Sequence, residues 1–362
     1  MGSATMFHLA RRGLKVLGIE ALGVPNDRGS SHGESRIIRK VYFEHPAYVP
    51  LLHRAYDLWR ELEAVTGQEL FRRTGLLEIG DPNGAVIRGV KRSAAEHRLA
   101  IEVVPVGDVP VRFPGFAAEA NLQAVYEADA GFLHVERCVQ AHASQAEAKG
   151  AEIAVGRSVR KWSANGSGVT LETENDRYSA GALAVCAGPW TNDLLQSLGL
   201  PLTVRRKVVL WLQAKGREYA LERGCPVFCF DTADGFFYGC PTLTGTELKM
   251  AEHSGGERIE HADRLDRALR SQDTVRVMRF ADRHFPGLTS TITRHSVCMY
   301  TMTPDEHFVI DRHPHHPNVV FAGGFSGHGF KFAPVVGEAL ADLVTAGKTE
   351  LPIGFLSGSR FQ

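Results

Sequence analysis

Residues 2–20, GSATMFHLARRGLKVLGIE, contain the pattern that decides the fold. Residues 2–12 predict a short helix that ends at a glycine, and residues 14–20 predict a buried strand that ends in an acid. A helix followed by such a strand is typical of a βαβ unit that binds a dinucleotide, where the helix N-terminus holds the pyrophosphate. Gly2 occupies the place of the last fingerprint glycine, and Glu20 that of the acid that bonds the ribose hydroxyls.

Only the later part of this βαβ unit is recognised, since the first strand and the first two glycines of the fingerprint are absent from this sequence. We therefore expect an N-terminally truncated cofactor domain. Either the true start lies upstream, or the chain is a shortened product that binds its cofactor poorly. Adding about a dozen upstream residues, an apolar strand followed by G-x-G-x-x, is expected to raise cofactor content and melting temperature, because a ligand that binds only the folded state stabilises it.

Two later passages repeat the order of strand, glycine and helix. The strand predicted at residues 183–186 runs into Ala187-Gly188-Pro189-Trp190, and the strand at 318–324 runs into a glycine-rich loop and a helix at 332–346. Alternating patterns dominate residues 201–303 and predict an antiparallel sheet. The predicted fold class is α/β, a Rossmann-like cofactor domain with an inserted antiparallel β-sheet substrate domain. The cofactor domain is assigned to residues 1–72, 134–204 and 305–362, and the substrate domain to residues 73–133 and 205–304.

Apolar residues at helical spacing predict three further helices. They cover residues 48–65, 85–96 and 135–149, and a glycine follows the first and the last of them. A hairpin is predicted over residues 169–179, around the polar turn Glu174-Asn175-Asp176.

The composition excludes several classes of partner. Lys and Arg together number 41, as do Asp and Glu, so no charge excess attracts nucleic acid or an anionic membrane. The longest apolar runs fall well short of the roughly 18 residues of a membrane helix, and Arg11, Arg12 and Lys15 interrupt any secretory signal. Six cysteines without a C-x-x-C pair predict reduced thiols. We expect a cytoplasmic protein whose partners are small molecules, with no nucleic acid and no membrane.

Two segments concentrate basic residues. Arg36 and Arg39 stand three residues apart, a spacing that shares one face of a helix, and if buried they need an anion such as a carboxylate. The alternative is solvated surface charge. Lys249 lies in a β-rich segment four residues before His253. A lysine in a pocket stabilises a developing anion such as superoxide, whereas the alternative is a cross-strand salt bridge.

Three other features have a simple and a functional interpretation. Cys298 lies in SVCMYT and by itself fits a small core residue. Lys331 follows the glycine-rich loop at residues 323–329, where a cation suits an anionic ligand, although such loops also serve only as turns. The histidine group at residues 313–316 is held between prolines and predicts a turn rather than a zinc site, so no metal is expected.

These motifs, in this order, resemble the monomeric sarcosine oxidase and N-methyl-tryptophan oxidase family of flavin amine oxidases, in the D-amino-acid-oxidase-like superfamily. The likeness covers nearly the whole chain and is most specific at residues 30–39, at residues 297–301 with 305–308, and at residues 324–332. The C-terminal SRFQ is more similar to the N-methyl-tryptophan oxidase branch. The resemblance implies an FAD-binding Rossmann-like domain and FAD held through a thioether to Cys298.

The resemblance also implies roles for individual side chains. Arg39 and Lys331 match the pair that binds the substrate carboxylate. Arg36 and Lys249 match basic residues that face the flavin, and Lys249 is the one implied in activating O2. Matched residues around the substrate are Tyr238, Tyr300, His253, His32 and Glu44. Further cofactor contacts are implied for Gly2, Glu20, Ser30, Arg36, Val159, Gly188, Gly327, Gly329 and Lys331.

The implied activity is oxidation of the C–N bond of an N-methyl or secondary amino acid by hydride transfer to the flavin, followed by imine hydrolysis and reduction of O2 to H2O2. A monomer is expected. Cys229 stands where sarcosine oxidase carries a larger thioether side chain, which predicts a different pocket wall and leaves the substrate side chain open. Two alternatives stay open: a flavin dehydrogenase that passes electrons to a carrier, against which Lys249 argues, and a non-catalytic truncated remnant.

Overall fold

Three of the longer helices end at a residue in the left-handed conformation. In the computed structural model, which describes residues 1–361, the helices at Val49–Thr66 and Ala333–Ala346 stop at Gly67 and Gly347, both with positive φ. The helices, labelled in chain order, are α1 Gly2–Ala10, α2 Val49–Thr66, α3 Ala85–His97, α4 Val109–Arg112, α5 Val135–Glu147, α6 Thr191–Leu194, α7 Ser271–His284 and α8 Ala333–Ala346. The three further helices predicted from apolar spacing are therefore confirmed as α2, α3 and α5.

The strands form one large sheet and several small ones. In chain order they are β1 Leu17–Glu20, β2 Ser35–Ile38, β3 Phe71–Arg73, β4 Leu76–Gly80, β5 Glu102–Val104, β6 Gln123–Glu127, β7 Gly131–His134, β8 Glu152–Val155, β9 Lys161–Asn165, β10 Gly168–Glu172, β11 Arg177–Ala180, β12 Leu183–Val185, β13 Thr203–Ala214, β14 Val227–Thr232, β15 Gly235–Pro241, β16 Glu247–Glu252, β17 Glu257–Ile259, β18 Leu288–Met302, β19 Val309–His313 and β20 His316–Gly323. The predicted hairpin is confirmed as β10 and β11.

The α/β layer contains two parallel strand pairs. β1 pairs in parallel with β8, and β12 pairs in parallel with β20. α1 packs against both α5 and α8, and it approaches α8 so closely that a Cβ on Gly337 would lie 2.7 Å from the backbone of Ala4. Parallel strands covered by helices are the arrangement that the glycine passages predict, so the α/β fold class is confirmed. The predicted strand at residues 14–20 begins only at Leu17, because its pairing with β8 starts there.

The large sheet has the order β17-β13-β16-β15-β14-β4-β6-β5, with β18 paired to β13. Its neighbours are antiparallel except β14 and β4, which run parallel. The prediction of a sheet over residues 201–303 missed α7, whose apolar residues recur at helical spacing: Val277, Phe280 and Ala281 are buried on one side. Short strand patterns on either side hid this helix.

The two faces of the large sheet differ in chemistry. One face packs apolar side chains against α7, where the rings of Phe237 and Phe280 stack with centroids 4.1 Å apart. Because strand residues alternate between faces, Tyr238 and Lys249 point to the other side, toward the α/β layer. The polar face of the sheet therefore carries Tyr238 and Lys249, two of the residues that the sequence predicted to lie at the active site. Among residues 1–361, none of the helices combines the length and apolar character needed to cross a bilayer.

Candidate active site

A cavity of about 1550 Å³ is lined by the α/β layer and by β18. It brings together residues from the beginning, middle and end of the chain. Of the residues predicted to contact the cofactor, those on its wall are Gly2, Glu20, Ser30, Arg36, Val159, Gly188, Gly327 and Gly329. Cys298 and Lys331 do not themselves line the cavity, but their chain neighbours Met299 and Phe330 do.

Glycine backbone shapes this cavity. Gly188 has a φ of 54°, and a Cβ there would meet no atom within 4 Å, so the backbone of Gly188 is exposed to the cavity. Gly327 has a φ of 81°, and a Cβ there would collide with the ring of Tyr300, so only glycine fits. Glu20 ends β1 at the cavity wall, with Oε1 accepting a hydrogen bond from the Leu22 N–H at 3.0 Å. The size of the cavity, its exposed backbone and the acid fit FAD.

Cys298 is a buried thiol in a cationic setting. Its Sγ lies 3.8 Å from Nη2 of Arg36 and 3.7 Å from the carbonyl oxygen of Ser30. Burial raises the pKa of the Cys298 thiol, but the nearby His32 and the charge of Arg36 outweigh it and bring the pKa from 9.0 to about 7. The lowered pKa favours the thiolate form of Cys298, which its apolar neighbours alone would not suggest.

Lys249 is a buried cation that lacks a carboxylate partner among residues 1–361. Its Nζ donates hydrogen bonds to the carbonyl oxygens of Gly33 and Ser35, both at 2.6 Å, and to Oγ of Ser35 at 3.2 Å. The cross-strand salt bridge weighed as an alternative is wrong. Burial and the nearby charge of Arg36 lower the pKa of Lys249 from 10.5 to about 8, so the ammonium persists at neutral pH close to the point of losing its proton.

Two tyrosines and a histidine lie together on the polar face of the sheet. The hydroxyl oxygens of Tyr238 and Tyr300 are 3.3 Å apart, and the His253 ring lies 5.4 Å from the Tyr300 ring. Burial lowers the pKa of His253 from 6.5 to about 3, so this imidazole is neutral. His32, also buried, has Nδ1 3.2 Å from Oγ of Ser296. Tyr238, Tyr300 and His253, which were all predicted to lie around the substrate, are therefore neighbours. The His253 imidazole stays uncharged at physiological pH.

Arg39 and Lys331 form a second cationic site. The Arg39 guanidinium carbon and the Lys331 Nζ lie 4.4 and 5.2 Å from the centroid of the same ring, that of Tyr42. Nη2 of Arg39 lies 2.9 Å from Oε1 of Glu44, while Lys331 donates a hydrogen bond to the His328 carbonyl oxygen at 2.7 Å. Burial lowers the pKa of Lys331 from 10.5 to about 7. Two buried cations on one ring suit a carboxylate.

The prediction that Arg36 and Arg39 share a helix face is wrong. Residues 35–38 form β2, which pairs with β7, and Arg39 follows directly after that strand. Arg36 instead turns toward the cavity and donates to the Ser30 carbonyl oxygen at 3.1 Å, while Arg39 is buried beside Glu44. Burial also excludes the alternative of solvated surface charge for Arg39.

Several buried charged residues of this region were not predicted from the sequence, among them Glu78 and Lys207. Glu78 lies on β4 within the apolar run LLEIG, and Lys207 lies on β13 within an alternating run. Nζ of Lys207 donates to the carbonyl oxygens of His253 and Ser254 at 2.8 and 2.7 Å and so fixes the turn that carries His253. A charged residue inside an otherwise apolar strand was the available signal for Glu78, whereas Lys207 follows Arg205 and Arg206 and has no such local signal.

The histidines at residues 313–316 form the turn between β19 and β20. Within residues 1–361, no three His, Cys, Asp or Glu side chains are arranged as metal ligands.

The chain belongs to the DAO family of FAD dependent oxidoreductases, whose pattern matches residues 1–343. The chain is thus an FAD-dependent oxidoreductase, and the cavity, with its glycine backbone and its acid, fits that cofactor. More closely, the chain is similar to monomeric sarcosine oxidase from Streptomyces avermitilis, with 40% identity over 99% of this chain and 95% of the relative. It is also similar to N-methyl-L-tryptophan oxidase from Yersinia pestis, with 35% identity over 100% of this chain and 97% of that relative. The family predicted from the sequence motifs is confirmed.

Solved structures support the fold. NikD, described as an unusual amino acid oxidase essential for nikkomycin biosynthesis, superposes with a TM-score of 0.87 at 24% identity, covering 98% of this chain and 94% of NikD. L-proline dehydrogenase from P. horikoshii superposes with a TM-score of 0.84 at 23% identity, covering 99% and 94%. At these identities the likeness concerns the fold alone.

Proposed function

We propose that this protein oxidises the C–N bond of an N-methyl or secondary amino acid, with FAD bound covalently to Cys298 and O2 as electron acceptor. The observation that carries the proposal is the placement of the two buried cations Arg39 and Lys331 beside one ring, next to a dinucleotide-sized cavity whose wall includes Phe330. A carboxylate held there would lie close to the cavity, because Lys331 directly follows the wall residue Phe330. The relatives named above act on sarcosine and N-methyl-L-tryptophan, which are both N-methyl amino acids.

The chain's residues have distinct tasks in this reaction. Arg39 and Lys331 bind the substrate carboxylate, for which the Glu44 carboxylate must leave the Arg39 fork. The positive charges of Arg39 and Lys331 disfavour protonation of the substrate amine. The neutral imidazole of His253 supplies no proton that would reprotonate this amine. Bound FAD supplies an acceptor for the hydride equivalent that leaves the carbon next to nitrogen. Water then hydrolyses the resulting imine to an amine and a carbonyl compound.

Lys249 serves the second half of the reaction. Two electrons and two protons convert O2 to H2O2, and the first electron creates superoxide. The Lys249 ammonium, fixed by two carbonyl oxygens and unpaired with any carboxylate among residues 1–361, stabilises that anion without reorganisation. A dehydrogenase that uses another carrier needs no such cation, so Lys249 favours the oxidase.

Absorbance and peroxide measurements test the proposal. Purified protein is expected to show a flavin spectrum, to keep its yellow colour in the pellet after acid precipitation, and to release H2O2 when an N-methyl amino acid is added. Flavin reduction by substrate without O2 uptake would identify the dehydrogenase instead. Protein that binds FAD yet is reduced by no secondary amino acid would support the non-catalytic alternative.

Removal of either carboxylate-binding cation should raise KM. Arg39→Ala or Lys331→Ala is expected to cost about 2–5 kcal/mol in kcat/KM, because a desolvated charge pair is lost. The matched control is Arg206→Ala, which removes another buried arginine, paired with Asp273, and should lower stability without changing KM. Steady-state kinetics and melting temperatures check both effects. Unchanged KM in both variants would place the carboxylate elsewhere.

We also propose that the enzyme is a cytoplasmic monomer whose cofactor and substrate domains divide at the boundaries predicted from the sequence. The support comes from six cysteines with no disulfide framework and from relatives whose name includes the word monomeric. Sedimentation of the FAD-loaded protein tests the monomer.

A further inference from the structure

Glu78 lies on the polar face of the large sheet, in line with the substrate pocket. Cys229 on β14 pairs with Tyr238 on one side and with Glu78 on the other. Paired residues on neighbouring strands project to the same face, so Glu78 stands two strands, about 10 Å, from the pocket tyrosine. Cys229 itself is the residue at which the sequence predicts a changed pocket wall. The carboxyl group of Glu78 therefore lies beside Cys229, where the pocket wall is predicted to differ from that of sarcosine oxidase.

The carboxyl group of Glu78 is buried and poorly satisfied. The residue is 1% exposed, and its Oε1 has no hydrogen-bond partner. Its one cation is Arg39, whose Nε lies 3.6 Å from Oε1, beyond a good hydrogen bond. Both terminal nitrogens of Arg39 are taken by Glu44. Burial outweighs the attraction of Arg39 and raises the pKa of Glu78 from 4.5 to about 8.

The neighbouring buried acid Glu127 shares the burial, which raises its pKa from 4.5 to about 7, but it differs from Glu78 in its hydrogen bonds. Glu127 on β6 accepts hydrogen bonds from the backbone N–H groups of Lys40 and Val41, at 2.8 and 3.2 Å, one on each carboxylate oxygen. These bonds anchor the chain on the way from Arg39 to Glu44, so Glu127 has a structural task. Glu78 makes no comparable bond, and its carboxyl is free to respond to the charge at Arg39.

We propose that Glu78 is a positioning residue that carries a proton while the substrate carboxylate occupies Arg39 in place of Glu44. The inference rests on the proposed role of Arg39 in binding that carboxylate. An ionised Glu78 would share the buried Arg39 guanidinium with the substrate anion while the displaced Glu44 carboxylate remains nearby, and three negative charges around one guanidinium cost free energy in this desolvated place. With the proton on Glu78, Arg39 keeps its full charge for the substrate. The titratable groups that face Glu78 are Arg39 and Glu44 from the segment after β2, Glu127 from β6 and Cys229 from β14.

Proton uptake on ligand binding tests the inference directly. The probe is methoxyacetate, in which an ether oxygen replaces the amine, so that the ligand itself does not titrate. Calorimetry at about pH 9, in buffers of different ionisation enthalpy, should show that the FAD-loaded wild-type enzyme takes up about one proton more than Glu78→Gln. Lys331 also titrates near neutral pH, but its contribution is the same in both proteins and cancels in the difference. Glu127→Gln is the matched control and should keep the wild-type uptake.

The outcomes distinguish failure of the role proposed for Glu78 from failure of the carboxylate site proposed at Arg39. Equal proton uptake in wild type and Glu78→Gln overturns the role of Glu78 and leaves the carboxylate site intact. Absence of methoxyacetate binding in both proteins shows that the carboxylate site is elsewhere, and the inference falls with it. Glu78→Met, neutral and of similar length, replaces the glutamine variant if that variant does not fold.

Thermal stability provides a measurement that needs no cofactor. Because the folded state raises the pKa of Glu78 from 4.5 to about 8, the acid favours folding fully only below its unfolded pKa, and this contribution is lost as pH rises through about 8. The melting temperature of wild type should therefore fall, relative to that of Glu78→Gln, between about pH 5 and pH 8 and run parallel to it above. A constant difference across this range contradicts a neutral Glu78 in the folded protein.

Discussion

In the Lys249→Met enzyme, reoxidation of the flavin by O2 is expected to slow by a factor on the order of 10²–10³, while reduction by substrate slows far less. The reason is that the Lys249 charge matters mainly while superoxide forms. Methionine matches the length of the lysine stem, but it leaves the Gly33 and Ser35 carbonyl oxygens without their donor. Stopped-flow measurement of the two half-reactions separates the effects, and equal slowing of both would place the lysine at the substrate.

The matched control for this variant is Lys207→Met. Lys207 is a second buried lysine on the same face of the sheet, and its pKa is also lowered to about 8, mainly by burial. Its Nζ is committed to the carbonyl oxygens around His253, so its loss should not slow reoxidation selectively. In addition, wild-type reoxidation should decline as pH rises through about 8, where the Lys249 ammonium loses its proton, and Lys249→Met should lack this decline.

The Cys298→Ser protein is expected to contain no acid-stable flavin and to keep its fold. A thioether requires a thiolate, and the pKa of about 7 makes Cys298 the buried thiol that supplies one at neutral pH. Serine fills nearly the same space, and its hydroxyl neither ionises nor bonds the flavin. Absorbance of the acid pellet measures the covalent fraction, and circular dichroism checks the fold.

Cys240→Ser is the control for the attachment site. Cys240 is also buried and also points to the polar face, where it pairs with Lys249. Burial raises the pKa of the Cys240 thiol, so this residue stays protonated and its replacement should leave the covalent flavin in place. Acid-stable flavin in Cys298→Ser, or its loss in Cys240→Ser, would reassign the attachment point.

Local sequence determined much of the fold. Gly67 and Gly347 end helices because glycine adopts positive φ without strain, and this preference acts through the residue alone. The strand, glycine and helix order around Gly188 and in residues 318–346 likewise predicted an α/β layer. The family motifs supplied the candidate residues. Only the family resemblance implied that these residues meet around one cavity, because spacing along the chain does not bring distant segments together.

Tertiary structure decided the electrostatics. Lys249 finds its acceptors at Gly33 and Ser35, more than 200 residues away, and no local pattern announces such a contact. Glu78 became a proton-binding candidate only because sheet pairing placed it beside Cys229 and chain folding brought Arg39 to it. The sequence shows which residues carry charge. Whether a charge is solvated, paired or buried depends on neighbours from distant segments, and that environment, through desolvation, decides its pKa.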